Sequence, residues 1–130
     1  MKCTLITIGD ELLIGQVIDT NSAFIAQRLN EVGISVHRRI AISDDLHEIQ
    51  NSILEAWKSS TIIITTGGLG PTKDDITKKA LAEMFGVGFK RDEETFQHVK
   101  AFFESRNVPF LPVNEQQADV PENALVLFNS

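Results

Sequence analysis

Apolar positions along the chain switch repeatedly between strand-like runs and helical spacing. Cys3 to Ile8 is a short, largely apolar run ended by Gly9, which predicts a first strand. Beyond Asp19-Thr20-Asn21, Ile25, Leu29 and Val32 recur at four and then three residues. That spacing predicts a helix from about Ser22 to Val32, with Asn21 or Ser22 as its N-cap and Gly33 as the positive-φ residue past its end. Ser35 to Ile42 predicts a second strand, and His37, Arg38 and Arg39 within it predict an edge position partly in water. Leu46, Ile49, Ile53 and Trp57 then follow three-four-four spacing behind Ser43-Asp44-Asp45. Asp44 or Asp45 is a competent N-cap, and Glu48 favours the first turn of the helix dipole.

The chain is organised around the stretch Thr61 to Thr77, TIIITTGGLGPTKDDIT. Ile62 to Ile64 predict a strand buried on both faces. The run breaks at Gly67, Gly68, Gly70 and Pro71, and a helical pattern opens at Ile76 after Asp74 and Asp75. A strand, a glycine-rich turn and a helix start is an arrangement that can hold a phosphate. It is not a Walker loop, because Thr72-Lys73-Asp74 stands where Gly-Lys-Ser/Thr is needed, and Lys73 occupies the third glycine of a dinucleotide fingerprint. The simpler alternative is a turn in which Asp74 or Asp75 caps the helix. Further on, Ile76, Ala80, Leu81, Met84 and Phe85 give a core face that Gly86 ends. Gly88 and Phe89 form a connector, and Asp92, Glu93 and Glu94 open a helix with the stripe Phe96, Val99 and Phe103. Asn114 to Asp119 allow one or two helical turns, and Ala124 to Phe128 predict a last strand.

Composition narrows the class. A chain of 130 residues with 42% hydrophobic and 23% charged residues fits one globular domain. The net charge of −6 argues against a sequence-independent nucleic-acid surface, and the phenylalanines lack the basic interleaving of a base-stacking platform. The single cysteine, Cys3, predicts a reducing compartment. No apolar stretch reaches the length of a membrane span and no basic-then-apolar leader precedes the first strand, so a cytoplasmic location is expected.

The segment GGLGPTKDDIT resembles the signature loop of the molybdopterin-binding-like fold, and its Leu-Gly-Pro-Thr form is most similar to the competence/damage-inducible protein A (CinA) family. The N-terminal ITIGDELLIGQVIDTN also resembles that family, in glycine-acid-Glu-Leu-Leu, then glycine, then Asp/Asn-Thr-Asn. Related molybdopterin-biosynthesis proteins more often carry Arg where this chain has Asp74. The resemblance implies a MoaB/MogA-like domain over residues 1–130. In the family the last strand leads into a further loop and more sheet, often with a second domain, so the chain is expected to be incomplete at its C-terminus.

Alternating strands and helices predict an α/β, three-layer, doubly wound and mostly parallel sheet. With a 2-1-3 strand order, the carboxyl ends of the first and third strands flank the switch point, where ligands bind. Gly9, Asp10, Glu11, Asp44 and the loop Gly67 to Asp75 would then meet in one cleft. Glycine N–H groups and the hydroxyls of Thr66 and Thr72 suit phosphate oxygens, whereas carboxylates repel them unless a divalent cation such as Mg²⁺ intervenes. Metal-assisted hydrolysis of a phosphoanhydride follows as the expected reaction class.

The resemblance implies the substrate, ADP-ribose, cleaved to AMP and ribose 5-phosphate. The nicotinamide mononucleotide deamidase activity of the family is expected to belong to the second domain, outside residues 1–130. Expected roles are Asp44 and Asp75 on metal or water, with Glu11 assisting catalysis and Asp10 and Asp74 lining the ligand site. Gly67, Gly68, Gly70 and Thr72 would hold phosphate, and Asn21 the ribose or base, although capping alone could explain Asn21. No organic cofactor, nucleic acid or membrane partner is expected; a homodimer or homotrimer is. The alternative is a non-catalytic nucleotide- or molybdopterin-binding or oligomerisation domain. An adenylyltransferase-like pterin enzyme fits less well, because Asp74 replaces the usual Arg.

Overall fold

Six consecutive residues of the first strand, Cys3 to Ile8, are buried although neighbouring side chains in a strand point to opposite faces. Both faces of β1 (Lys2–Ile8) are therefore covered. The computed structural model describes residues 1–68, 76–115 and 118–127. They fall in two units, Met1–Gly68 and Leu69–Ser130.

In the first unit, β1 is followed by α1 (Asp10–Leu13), α2 (Thr20–Glu31), β2 (Ser35–Ile42), α3 (Leu46–Trp57) and β3 (Ile62–Gly67). The sheet has the order β2-β1-β3 with both pairings parallel, and Ile8 is level with Ile42 and with Gly67. The crossover through α2 leads to one side of β1 and the crossover through α3 returns to the other. With right-handed connections the two helices lie on opposite faces. Hydrogen bonds agree with this. Thr7 Oγ1 lies 2.8 Å from Ser22 Oγ at the start of α2, and Thr4 Oγ1, on the other face of the strand, lies 2.6 Å from Ser60 Oγ just past α3. Helix α2 packs on β2, and α3 on β3 and β1. This is the expected three-layer, doubly wound arrangement, and its strand order reverses between β1 and β3.

Local chemistry sets the helix boundaries. Asp19, rather than Asn21 or Ser22, caps α2: its Oδ1 accepts from Ser22 N at 3.0 Å, and Thr20 and Asn21 are already helical. Asp45 caps α3 by accepting from Glu48 N at 2.9 Å. Gly33 has φ 81°, as its place behind α2 predicts. The buried face of α3 is Ile49, Ile53 and Ala56, while Trp57, expected in the stripe, is 58% exposed one position beyond it. Strand β3 is only half-buried from Ile62 to Thr66. It has β1 on one side and no strand on the other among the described residues, so burial on both faces is not realised.

The second unit contains α4 (Ile76–Phe85), β4 (Phe89–Arg91), α5 (Glu93–Ser105), α6 (Pro112–Glu115) and β5 (Asp119–Pro121). Helix α4 buries Thr77, Ala80 and Ala82, whereas Phe85 is exposed. Where a connector was expected, β4 pairs antiparallel with β5. Arg91 Nε donates to Asp119 Oδ1 at 2.9 Å and Lys78 Nζ to the Asp119 carbonyl at 2.8 Å, tying the ribbon to α4. Asp92 caps α5, whose Phe96 and Phe103 rings pack around Phe110 at centroid distances of 5.6 and 5.7 Å. Ala124 to Leu127 form no strand: Leu125 and Leu127 are 86% and 85% exposed, without a partner strand among the described residues. Phe128 lies outside the described residues. No helix among the described residues is long and apolar enough to cross a membrane.

Candidate functional site

The parallel register brings the ends of all three strands of the first unit level, so the residues that follow them meet at one end of the sheet. Gly9 N donates to the Ile42 carbonyl at 3.0 Å, closing β1 onto the end of β2. Asp44 N donates to Asp10 Oδ1 at 3.3 Å, which joins the loop after β2 to the loop after β1. The Glu11 carboxylate folds back over Gly9, where a β-carbon would lie 2.5 Å from Glu11 Oε1. On the opposite side of β1, Gly67 approaches Ile8 so closely that a β-carbon there would meet the Ile8 carbonyl oxygen. Glycine at 67 thus lets the end of β3 approach β1 closely, and glycine at 9 leaves room for the folded-back Glu11 carboxylate.

Asp10, Glu11 and Asp44 are exposed, and Gly9 is buried beneath them. Thr66 shares the row of Thr7 and Ala41, one step back from the strand ends. Asn21 is exposed in the first turn of α2, beside the buried Ser22. The expected residues Gly9, Asp10, Glu11, Asp44 and Gly67 therefore come together, with Gly68 next in the chain. Gly70, Thr72, Asp74 and Asp75 lie outside the described residues. Among the described residues no group of three or more His, Cys, Asp or Glu side chains is arranged to hold a metal ion.

Sequence reasoning missed Thr7 and Asp19 in this region. Thr7 Oγ1 donates to Asp19 Oδ2 at 2.8 Å, so the Ser22 hydroxyl supplies the proton of the 2.8 Å bond to Thr7. Burial raises the Asp19 pKa, but hydrogen bonding from Ser22 and then from Thr7, with the nearby Arg39 charge, outweighs it and holds the carboxyl below its ordinary value. Thr7, Asp19, Arg39, Ile40 and Ala41 line a cleft of about 310 Å³ on the α2 face. The signal available was the spacing of Asp19 and Ser22, three residues apart at a helix start. A larger cleft of about 420 Å³, lined in part by Arg38, Glu48 and Glu55, contains none of the expected site residues.

A parallel sheet in 2-1-3 order, with acids and glycines at its switch point, is a doubly wound α/β domain whose ligand site belongs at the strand ends. MoaB from Pyrococcus furiosus, described as a tungsten cofactor synthesizing protein, shares this fold with a TM-score of 0.59 and 25% identity, over 81% of this chain and 63% of its own. The crystal structure of CinA from Thermoplasma acidophilum matches with a TM-score of 0.78 and 32% identity, over 93% of this chain and 70% of its own. A CinA-like protein of Flavobacterium psychrophilum is 47% identical over 130 residues, 99% of this chain and 31% of its own length. The family described as probable molybdopterin binding domain matches residues 4–125. The chain belongs to that family, in its CinA branch. It spans 31% of the length of the curated relatives it matches.

Proposed function

We propose that the switch-point cleft binds a nucleotide-like pyrophosphate and hydrolyses it, with ADP-ribose as substrate and AMP and ribose 5-phosphate as products. The observation that carries this reading is the meeting of Gly9, Asp10, Glu11, Asp44 and Gly67 at one end of the sheet, a place that suits close backbone approach to a phosphate beside acids able to take a proton. Water attacks one phosphorus, the bond to the bridging oxygen breaks, and the proton lost by the water passes to a carboxylate. Asp44 orients the water and, with Glu11, receives its proton. Backbone N–H groups at Gly67, Gly68 and Gly70, with the hydroxyls of Thr66 and Thr72, hold the phosphate oxygens. Asp10 and Asp74 border the ligand, and Asn21 meets the ribose or base.

A divalent cation held by Asp44 and Asp75 belongs to the proposal, because carboxylates facing a pyrophosphate otherwise repel it. When bound it would offset phosphate charge and acidify its water. The reading includes a homodimer or homotrimer, and a cytoplasmic location, which the lone buried Cys3 supports. A second reading, a nucleotide- or molybdopterin-binding or oligomerisation domain without turnover, draws on the family description. The test is AMP release from ADP-ribose with and without Mg²⁺, Mn²⁺ or Co²⁺, beside Asp75→Asn. Metal-dependent release that the substitution abolishes supports hydrolysis. Binding of ADP-ribose without release supports the second reading.

A further inference from the structure

Thr7 is a polar residue in a central strand whose neighbours Leu5, Ile6 and Ile8 are buried and apolar. Valine would satisfy the strand there by shape and propensity, so a buried hydroxyl needs partners to be tolerated. It has two, both at the start of α2. The hydroxyl donates to Asp19 Oδ2 at 2.8 Å and accepts from Ser22 Oγ at 2.8 Å, while Asp19 Oδ1 accepts from Ser22 N at 3.0 Å. Ser22 is 1% exposed and Thr7 5% exposed, so water competes little for these bonds. The body of α2 packs on β2, the edge strand, whereas this ring of bonds ties its first turn to β1, the central strand.

We infer that Thr7 is a positioning residue, which pins the first turn of α2, and with it Asn21, one step back from the carboxyl end of β1. The inference rests on the proposed nucleotide site and adds the group that sets the ribose or base side of it. The cap and the tether are separable. Asp19 caps α2 through Oδ1, and the tether runs through Oδ2 and the two hydroxyls. Replacing Thr7 by Val keeps the shape of the strand and the cap, and removes the tether alone.

The experiment compares wild type, Thr7→Val and Ser22→Ala in binding of ADP-ribose, supplied as a non-hydrolysable methylene analogue with Mg²⁺ present, by calorimetry, in melting temperature, and in amide exchange resolved by residue. The expected result for both variants is about tenfold weaker binding, the loss of one well-made hydrogen bond in the site. Exchange at Ser22, whose N–H is held by Asp19 Oδ1, should rise at least as much, with exchange at Leu5 and Ile6 unchanged. Wild-type affinity in both variants overturns the positioning role. So does a rise in exchange spread evenly over the first unit, which marks a role in stability alone. A wild-type chain that fails to bind ADP-ribose overturns the nucleotide reading itself and takes this inference with it. Should Thr7→Val not fold, Ser22→Ala, which removes a donor and leaves the strand untouched, carries the same outcomes.

Discussion

Gly67 lies level with Ile8 across the β1–β3 pairing, with φ 87° and so little room that a β-carbon on it would collide with the Ile8 carbonyl oxygen. Both the backbone angle and the contact demand glycine. Gly67→Ala should destabilise the fold by about 2–3 kcal/mol, through strain at positive φ and displacement of the end of β1. Urea unfolding checks this, and an unchanged midpoint would contradict it.

Helix α3 offers a contrast between two large side chains eight residues apart. Ile49 is fully buried and Trp57 is 58% exposed, although simple helical spacing puts both on one stripe. Ile49→Ala should cost about 2–5 kcal/mol, the range for deleting a buried aliphatic side chain. Trp57→Ala should cost less. Equal losses in urea unfolding would show that the indole carries core weight.

The legible part of the fold was the part set by periodicity and chain direction. Strand β2 was bounded at Ser35 and Ile42, and alternating strands and helices with right-handed crossovers pointed to a doubly wound sheet, for which the 2-1-3 order was a condition that the structure meets. That order in turn brings Asp10 and Asp44 together. What periodicity does not encode was missed. Strands β4 and β5 are three residues each, too short to alternate visibly, and they are held by Arg91 and Asp119 from distant parts of the sequence. Ala124 to Leu127 has strand composition but no partner strand among the described residues, and composition cannot supply one. The Thr7–Asp19–Ser22 ring depends on one hydroxyl within an apolar run, which a hydrophobic pattern reads as filler.

Two caps make the stability of the chain depend on pH. The Thr95 hydroxyl, then the Thr95 N–H at 2.9 Å, hold the Asp92 carboxyl below its ordinary value, and Lys90 adds to this. Asp19 is also held low, where bonds from Ser22 and Thr7 outweigh burial. In the unfolded chain both titrate near about 3.9, so the unfolded state takes up protons first as pH falls. Their stabilisation is complete above that pH and is lost as pH drops through the lower folded values. The urea midpoint should fall between about pH 5 and pH 2, and Thr95→Val should flatten part of that fall. A slope unchanged in the variant would contradict the Asp92 assignment.

Adjacent acids at the start of α3 have separate tasks. Asp45 accepts from Glu48 N and caps the helix, whereas Asp44 donates its N–H to Asp10 at the sheet end. Asp45→Ala should cost about 1 kcal/mol in urea unfolding. Asp44→Asn, outside the helix and exposed, should leave the midpoint within about 0.5 kcal/mol.

The same pair gives the most direct test of the central claim, that the strand-end cluster is a pyrophosphate-hydrolysing site. AMP release from ADP-ribose in the presence of Mn²⁺ should fall at least about a hundredfold in Asp44→Asn, the scale of losing a positioned proton acceptor. Asp45→Asn, which retains a good capping residue, should stay within about threefold of wild type. Equal rates in wild type and Asp44→Asn would contradict the account.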